Sequence, residues 1–202
     1  MTKPPGYFER IFAFDVETSG LYFGYENPVT GSPVTGERGY YQTVSWGIQV
    51  LNASTLKVID EVYIEQQWDG VSLWEPKAEA VHGLSKAYLA EHGKTRDEVA
   101  EIIANLVIKH WGKTSLVTLG HNSISFDLPF LKHEMDLSGI HLNVGNRHLD
   151  SNTIAFTLFG AFNSDDLFKE LGFDARNAHN ALDDIKMTVD AFRVAKQMIG
   201  VN

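Results

Sequence analysis

Phe12-Ala13-Phe14-Asp15-Val16-Glu17-Thr18-Ser19-Gly20-Leu21 is the stretch that decides the fold. An apolar run carries two carboxylates two positions apart and ends in Thr-Ser-Gly. Side chains of a strand alternate between its faces, so residues two apart share one. Asp15 and Glu17 therefore point the same way from the end of a strand that otherwise reads as buried. Unpaired buried charge is costly, and two like charges together need a strong reason. A divalent cation is the simplest one, and it requires further ligands from elsewhere in the chain.

The surrounding composition bounds what such a site can be. The chain has 202 residues, 44% hydrophobic and 21% charged, enough for one substantial core. A single domain over 1–202 is expected, with 1–9 as a loose N-terminal arm and 22–42 as a long loop. Acidic residues outnumber basic ones 26 to 17, for a net charge of -9. That balance argues against a large basic face for sequence-independent duplex binding. It leaves room for a nucleic-acid enzyme whose bound metals bring the phosphate in. Without cysteine there are no disulfides and no thiolate metal ligands. Met1-Thr2-Lys3-Pro4-Pro5-Gly6 lacks the apolar region of a signal peptide, and no run reaches membrane-spanning length. A cytoplasmic protein, or a viral one in the host cytoplasm, is the expectation, with no membrane partner.

Outward from the opening strand, Ile11–Asp15, the elements follow from periodicity. The connection at 22–42 contains Pro28-Val29-Thr30-Gly31 and again Pro33-Val34-Thr35-Gly36, which suits a turn-rich hairpin tip. A loop this long is uncommon unless functional or mobile. Its aromatics, Tyr22, Phe23, Tyr25, Tyr40 and Tyr41, suit either stacking on bases or pinning the loop to the body. Thr43–Val50 and Lys57–Ile64 read as a hairpin turning at Asn52-Ala53-Ser54, added to the first strand. Trp68 and Trp74 fall in a loop at 65–76. Ala78–Ser85 reads as a short helical segment broken by Gly83.

Thr95-Arg96-Asp97-Glu98 is a capping box, and the helix after it stops at Gly112. Ser115–Leu119 is a buried strand. Phe126-Asp127-Leu128-Pro129-Phe130-Leu131 opens a helix to about Met135, and Arg147–Asp150 is extended. Ser151 is placed as the cap of a helix through Leu158, and Ser164 or Asp165 starts another that ends at Gly172. Asn180–Ile199 is a long amphipathic helix. The order β-β-β-α-β-α-β-α-α-α predicts an α/β fold with a mixed sheet, an antiparallel hairpin beside parallel strands.

Two more acids complete the set. Asp127 follows a strand end and opens a helix. In His179-Asn180-Ala181-Leu182-Asp183-Asp184, Asp183 and Asp184 compete. At 100° per residue, Leu182, Ile185, Val189, Phe192 and Ile199 define the apolar centre of the last helix. Asp184 lies on the shoulder of that stripe with Thr188, Ala191 and Ala195. Asp183 falls among Lys186, Asp190, Arg193 and Gln197, where Lys186 can pair with it. Asp184 is therefore taken as the ligand and Asp183 as a surface residue. Four carboxylates without cysteine suit hard cations such as Mg²⁺ or Mn²⁺. Two such ions can activate a water and stabilise an in-line phosphoryl displacement. An unperturbed imidazole titrates near working pH, and His179, in the loop entering the helix, is placed to deprotonate that water.

Together these motifs resemble the DEDDh exonucleases, the DnaQ-like group that includes proofreading exonucleases and RNase T. Phe14–Leu21 resembles the first motif, Gly120-His121-Asn122 with Phe126–Leu131 the second, and His179–Asp184 the third, with the His-to-Asp spacing of the "h" subclass. Val81-His82-Gly83-Leu84-Ser85 is similar to the family segment that lies against the 3′-terminal nucleotide. His148-Leu149-Asp150-Ser151 and Asp166–Gly172 also resemble family segments, so the match spans residues 11–198.

The resemblance implies an RNase H-like fold with a five-stranded mixed sheet flanked by helices. It implies two divalent cations on Asp15, Glu17, Asp127 and Asp184, with His179 as general base; Glu17 counts with His179 as catalytic. Thr18, Gly20, Leu21, His82, Gly83, Leu84, Asn122 and Phe126 would contact the terminal nucleotide. The implied activity is 3′→5′ release of nucleoside 5′-monophosphates from single-stranded ends, DNA slightly over RNA, with a DNA polymerase as a possible partner. The alternatives are an exoribonuclease of the RNase T or oligoribonuclease type, or an idle module that binds nucleic acid or a polymerase. Ser123-Ile124-Ser125 is one residue longer than in many members, which predicts a bulge before the helix, and the 22–42 loop exceeds that of compact members.

Overall fold

The buried run around Phe14 becomes β1, Arg10–Thr18, at the centre of a five-stranded sheet. A computed structural model describes residues 8–21, 40–161, 163–173 and 179–200. The PVTG duplication and the expectations for Tyr22, Phe23 and Tyr25 lie outside the described residues. The other strands are β2, Thr43–Asn52; β3, Val58–Glu65; β4, Leu116–Gly120; and β5, Val144–Asp150. The order across the sheet is β3-β2-β1-β4-β5. β1, β2 and β3 pair antiparallel, while β4 and β5 run parallel beside β1. This is the expected mixed sheet, an RNase H-like arrangement.

Alternation along β1 sorts the core onto two faces. Phe12, Phe14 and Val16 face α3, Arg96–Trp111, and α4, Asp127–Leu137, packing on Ile103, Trp111, Phe130 and Leu131. Ile11 and Ala13 face the other way, onto Ile185 and Val189 of α7, Ala181–Met198. By the same parity Asp15 and Glu17 belong to the α7 side. Before α3 come two short helices, α1, Pro76–His82, and α2, Lys86–His92. After β5 come α5, Ser151–Ile154, a π-helical turn, Ala155–Phe159, and α6, Ser164–Glu170.

The Thr95 capping box forms as its sequence predicts: the Thr95 hydroxyl accepts from Glu98 N–H, and the Glu98 carboxylate accepts from Thr95 N–H at 2.8 Å. Other local expectations are revised. Phe8 and Glu9, placed in the loose arm, engage the body: Phe8 packs on the α7-side core, and Ala53 N–H donates to Glu9 O at 3.0 Å. Tyr40 and Tyr41 are buried, so these two aromatics pin their segment rather than await a base. Asp150, not Ser151, caps α5, because its carboxylate accepts from Asn152 N–H at 3.0 Å. The helix expected through Leu158 widens into the π turn, closed where Gly160 N–H donates to Ala155 O. Ile199 lies beyond the end of α7 and is exposed, so the apolar stripe stops short of it. Helix α2 was not anticipated; only Leu89 of it is buried, too little for a periodic signal.

Candidate active site

The site begins where β1 ends. Asp15 is in register with Gly47 of β2. A Cβ on Gly47 would collide with the backbone of Ala181 and Leu182, so glycine there lets α7 start directly on the sheet. Asn180 caps that start, its Oδ1 accepting from Leu182 N–H at 3.0 Å and Asp183 N–H at 3.2 Å. Four residues into the helix, Asp184 is 5% exposed. The side chain of Asp183 is 69% exposed and faces Lys186 at 3.7 Å. The two carboxylates thus divide as the helical projection predicts. His179 sits just before the cap. Its N–H donates to Val81 O at 3.2 Å, and its Nδ1 lies 3.4 Å from Asp184 Oδ2.

Asp127 arrives from the opposite side as the first residue of α4. It is buried, and its Oδ1 accepts from Val16 N–H at 3.0 Å, which fastens α4 to β1 between the two acids. Burial pushes the Asp127 carboxyl up to about 8, with nearby Asp150 adding to it, against the N–H groups of Val16 and Asp127 itself. A carboxylate so placed gains from a neighbouring cation.

Asp15, Glu17, Asp127, Asp184 and His179 all line one cleft of about 320 Å³. Among the described residues, Glu17, His179 and Asp184 offer ligand atoms that all lie within 4.8 Å of one another. Asp15 and Asp127 are outside that closest trio but share the cleft. The carboxylate oxygens, with no thiolate, match the donor set of a hard divalent cation, and the His179 imidazole beside them is not a donor that such a cation prefers.

Of the residues assigned to the nucleotide, Thr18, Leu21, His82 and Phe126 line the cleft, and Gly20, Gly83, Leu84 and Asn122 do not. Gly20 lies under the Tyr41 ring, which a Cβ would strike. Its carbonyl accepts from the Thr18 hydroxyl at 2.7 Å, closing the strand exit into a tight floor. Gly83 ends α1 at φ 75°, and Leu84 N–H donates to His82 Nδ1 at 3.0 Å. That bond puts the ring proton on Nε2, and burial lowers the His82 pKa to about 4 against the charge of Glu79, so the ring is neutral. Its Nε2 is buried and meets no protein acceptor.

Asn122 is exposed with φ 54°, accepting at Oδ1 from the Ser125 hydroxyl at 2.7 Å. Ser123–Ser125 lies in a turn before α4, in which Phe126 N–H donates to Asn122 O at 3.2 Å. His121 takes the cleft position instead, its Nδ1 2.7 Å from Ser151 Oγ.

The cleft also recruits residues that were assigned no role in it: Glu75, Lys77, Ala78, Val81, Ser164, Phe168 and Thr188. Thr188 was legible, one turn beyond Asp184 on the same helical shoulder. Lys77, Ala78, Val81 and His82 have i, i+1, i+4, i+5 spacing on α1, a helix too short to show that face in sequence.

Comparison with known proteins bears on the fold and the family. Among curated proteins no sequence matches. In fold, the chain is similar to Escherichia coli exonuclease I in complex with a dT13 oligonucleotide, with TM-score 0.72 and 16% identity over 94% of this chain and 41% of that one. The zinc-bound form of the same enzyme with single-stranded DNA gives TM-score 0.73 and 16% identity over 94% and 41%. Its complex with dA16 gives 0.72 and 15% over 94% and 41%. This chain therefore spans about two fifths of the length of exonuclease I. A family model described as exonuclease, named for RNase T, matches residues 47–192, a segment that includes Asp127, His179 and Asp184. That match covers well over half of the sequence, and the chain belongs to this DnaQ-like family of 3′→5′ exonucleases.

Proposed function

We propose that this chain removes nucleotides one at a time from the 3′ end of single-stranded nucleic acid, DNA somewhat ahead of RNA, and releases nucleoside 5′-monophosphates. The observation that carries the reading is the meeting of Asp15, Glu17, Asp127, Asp184 and His179, drawn from three elements and one loop, in a single cleft. The four carboxylates are the proposed holders of two Mg²⁺ or Mn²⁺ ions, which when bound supply a more acidic water and neutralise charge on the phosphate.

The protein groups have separate tasks. His179 accepts the proton of the attacking water, and Asp184, 3.4 Å from its Nδ1, favours the imidazolium so formed. Thr18 and Leu21 form a floor and Val81 and Phe126 apolar walls for the terminal nucleoside. Lys77, the one Lys or Arg among the described cleft residues, is the side-chain cation available to a substrate phosphate. DNA is favoured because the similar exonuclease I structures hold dT13 and dA16.

The test uses 5′-labelled DNA and RNA strands of one sequence, with Mg²⁺ or with EDTA. The proposal expects a ladder shortening from the 3′ end in Mg²⁺ only, faster on DNA, and none for Asp15→Ala. Hydrolysis that persists in EDTA or survives the substitution contradicts it.

A further inference from the structure

Behind the cleft lies an ion-pair network that the chemistry does not use. Arg96, at the start of α3, donates from Nε to Glu134 Oε2 at 2.7 Å and from its terminal nitrogen to Asp69 Oδ2 at 2.9 Å. All three side chains are largely buried. Glu134 also accepts from Thr43 N–H at 3.0 Å and from the Gln66 amide at 3.1 Å. Asp69 accepts from Val71 and Ser72 N–H at 3.0 and 2.7 Å. A planar guanidinium can bridge two carboxylates in this way; an ammonium is a single point charge.

The network leads to the nucleotide floor. Asp69 N–H donates to Gln42 Oε1 at 2.8 Å, and Gln42 N–H donates to Ser19 Oγ at 3.0 Å. Ser19 Oγ donates to Leu73 O at 2.7 Å, and Ser19 N–H donates to Gln42 O at 2.8 Å. Glu75 N–H then donates to Ser19 O at 2.7 Å. Ser19 is thus the joint between two sides of the cleft. On one side stands Thr18, with the strand exit. On the other, Glu75 leads into α1, which carries Lys77, Val81 and His82. Arg96, Glu134, Asp69, Gln42 and Ser19 themselves do not line the cleft. A strut serving stability alone has no need to end at the backbone that joins floor to wall.

We propose that Arg96 is a positioning residue that sets the spacing between the Thr18–Leu21 floor and helix α1, and so governs substrate affinity rather than the chemical step. This rests on the reading of that floor as the pocket of the terminal nucleotide. Glu134 shares α4 with Asp127, but Asp127 is held independently, about two turns away, by Val16 N–H at 3.0 Å, and Ser19→Ala leaves Glu134 and its partners intact.

The experiment measures KM and kcat separately on oligothymidylate with Mg²⁺ for wild type, Arg96→Lys, Arg96→Gln and Ser19→Ala, with a melting curve for each. Arg96→Gln and Ser19→Ala are expected to raise KM on the order of tenfold, within the range for residues that act on a site without touching its ligand. Their kcat and their half-saturating Mg²⁺ concentration stay within about twofold of wild type, the pattern of lost uniform binding. Arg96→Lys falls between, since it restores the charge without the bridge. Ser19→Ala leaves every ion pair intact, so it decides the matter if Arg96→Gln does not fold. An active wild type with unchanged KM in Ser19→Ala and in folded Arg96→Gln overturns the proposal alone. A wild type that leaves the strand intact overturns the functional reading and the proposal with it.

Discussion

Asp183 and Asp184 are neighbours in sequence, yet one turn-step of 100° gives them different surroundings. Asp183 meets water and Lys186; Asp184 is buried beside His179. That division was legible because the apolar stripe of α7 is long enough to fix its own orientation. The state of His82 was not, because its neutrality comes from burial and from the Leu84 N–H, both properties of the folded chain. His179 shows its position in sequence but not its partners, Val81 O and Asp184. If it is the general base, His179→Ala lowers kcat by about 10²–10⁴-fold, the range for positioned proton acceptors. Half-saturation by Mg²⁺ stays near wild type, and steady-state kinetics across a metal titration checks both.

At the scale of elements, the site depends on how closely α7 approaches β2. Gly47 looks like an ordinary break in a strand sequence, and only the packed structure shows that α7 begins on top of it. Gly47→Ala is expected to cost about 1–3 kcal/mol, as overpacking does. A displacement of Asp184 by an ångström would also cost about 10²-fold in turnover. Urea melts and kcat on the folded variant measure the two separately.

The sheet edge makes a second prediction. Asp60 of β3 receives Lys109 at 2.7 Å and His110 at 2.9 Å from α3, and these bonds, Lys109 first, lower its pKa to about 2. A carboxyl lowered on folding stabilises the protein above its unfolded pKa, near 3.9. That contribution fades as pH falls toward the folded value. Asp60→Asn is therefore less stable than wild type at neutral pH, and the gap narrows between about pH 4 and pH 2. Equilibrium unfolding of both proteins across that range tests it. The long strands, α3, α4 and α7 were legible from periodicity and caps. α2 and the π turn were not, being too short to repeat a pattern.

For the molecule as a whole, the acidic balance and the cleft belong together. A net charge of -9 limits nonspecific attraction to phosphates and leaves recognition to the cleft. Lys77 is the single Lys or Arg among the described cleft residues. If it meets one phosphate, Lys77→Ala reduces the salt dependence of single-strand affinity by about 0.7 in log–log slope. Anisotropy titrations at several salt concentrations give that slope. The three motifs made the mixed sheet and the acidic cleft readable along the chain, because each motif carries its own strand or helix signal. The network that joins floor to wall was not readable, since Arg96, Glu134, Asp69 and Ser19 meet only through tertiary packing.

No helix among the described residues is long and apolar enough to cross a membrane. The most direct test of the account compares wild type, Asp183→Asn and Asp184→Asn on a single strand labelled at its 3′-terminal nucleotide, in Mg²⁺. Chromatography of the products reads the labelled species. The account predicts labelled nucleoside 5′-monophosphate as the first product from wild type and Asp183→Asn, and none from Asp184→Asn. Label released in longer fragments, or equal release by the two variants, would contradict it.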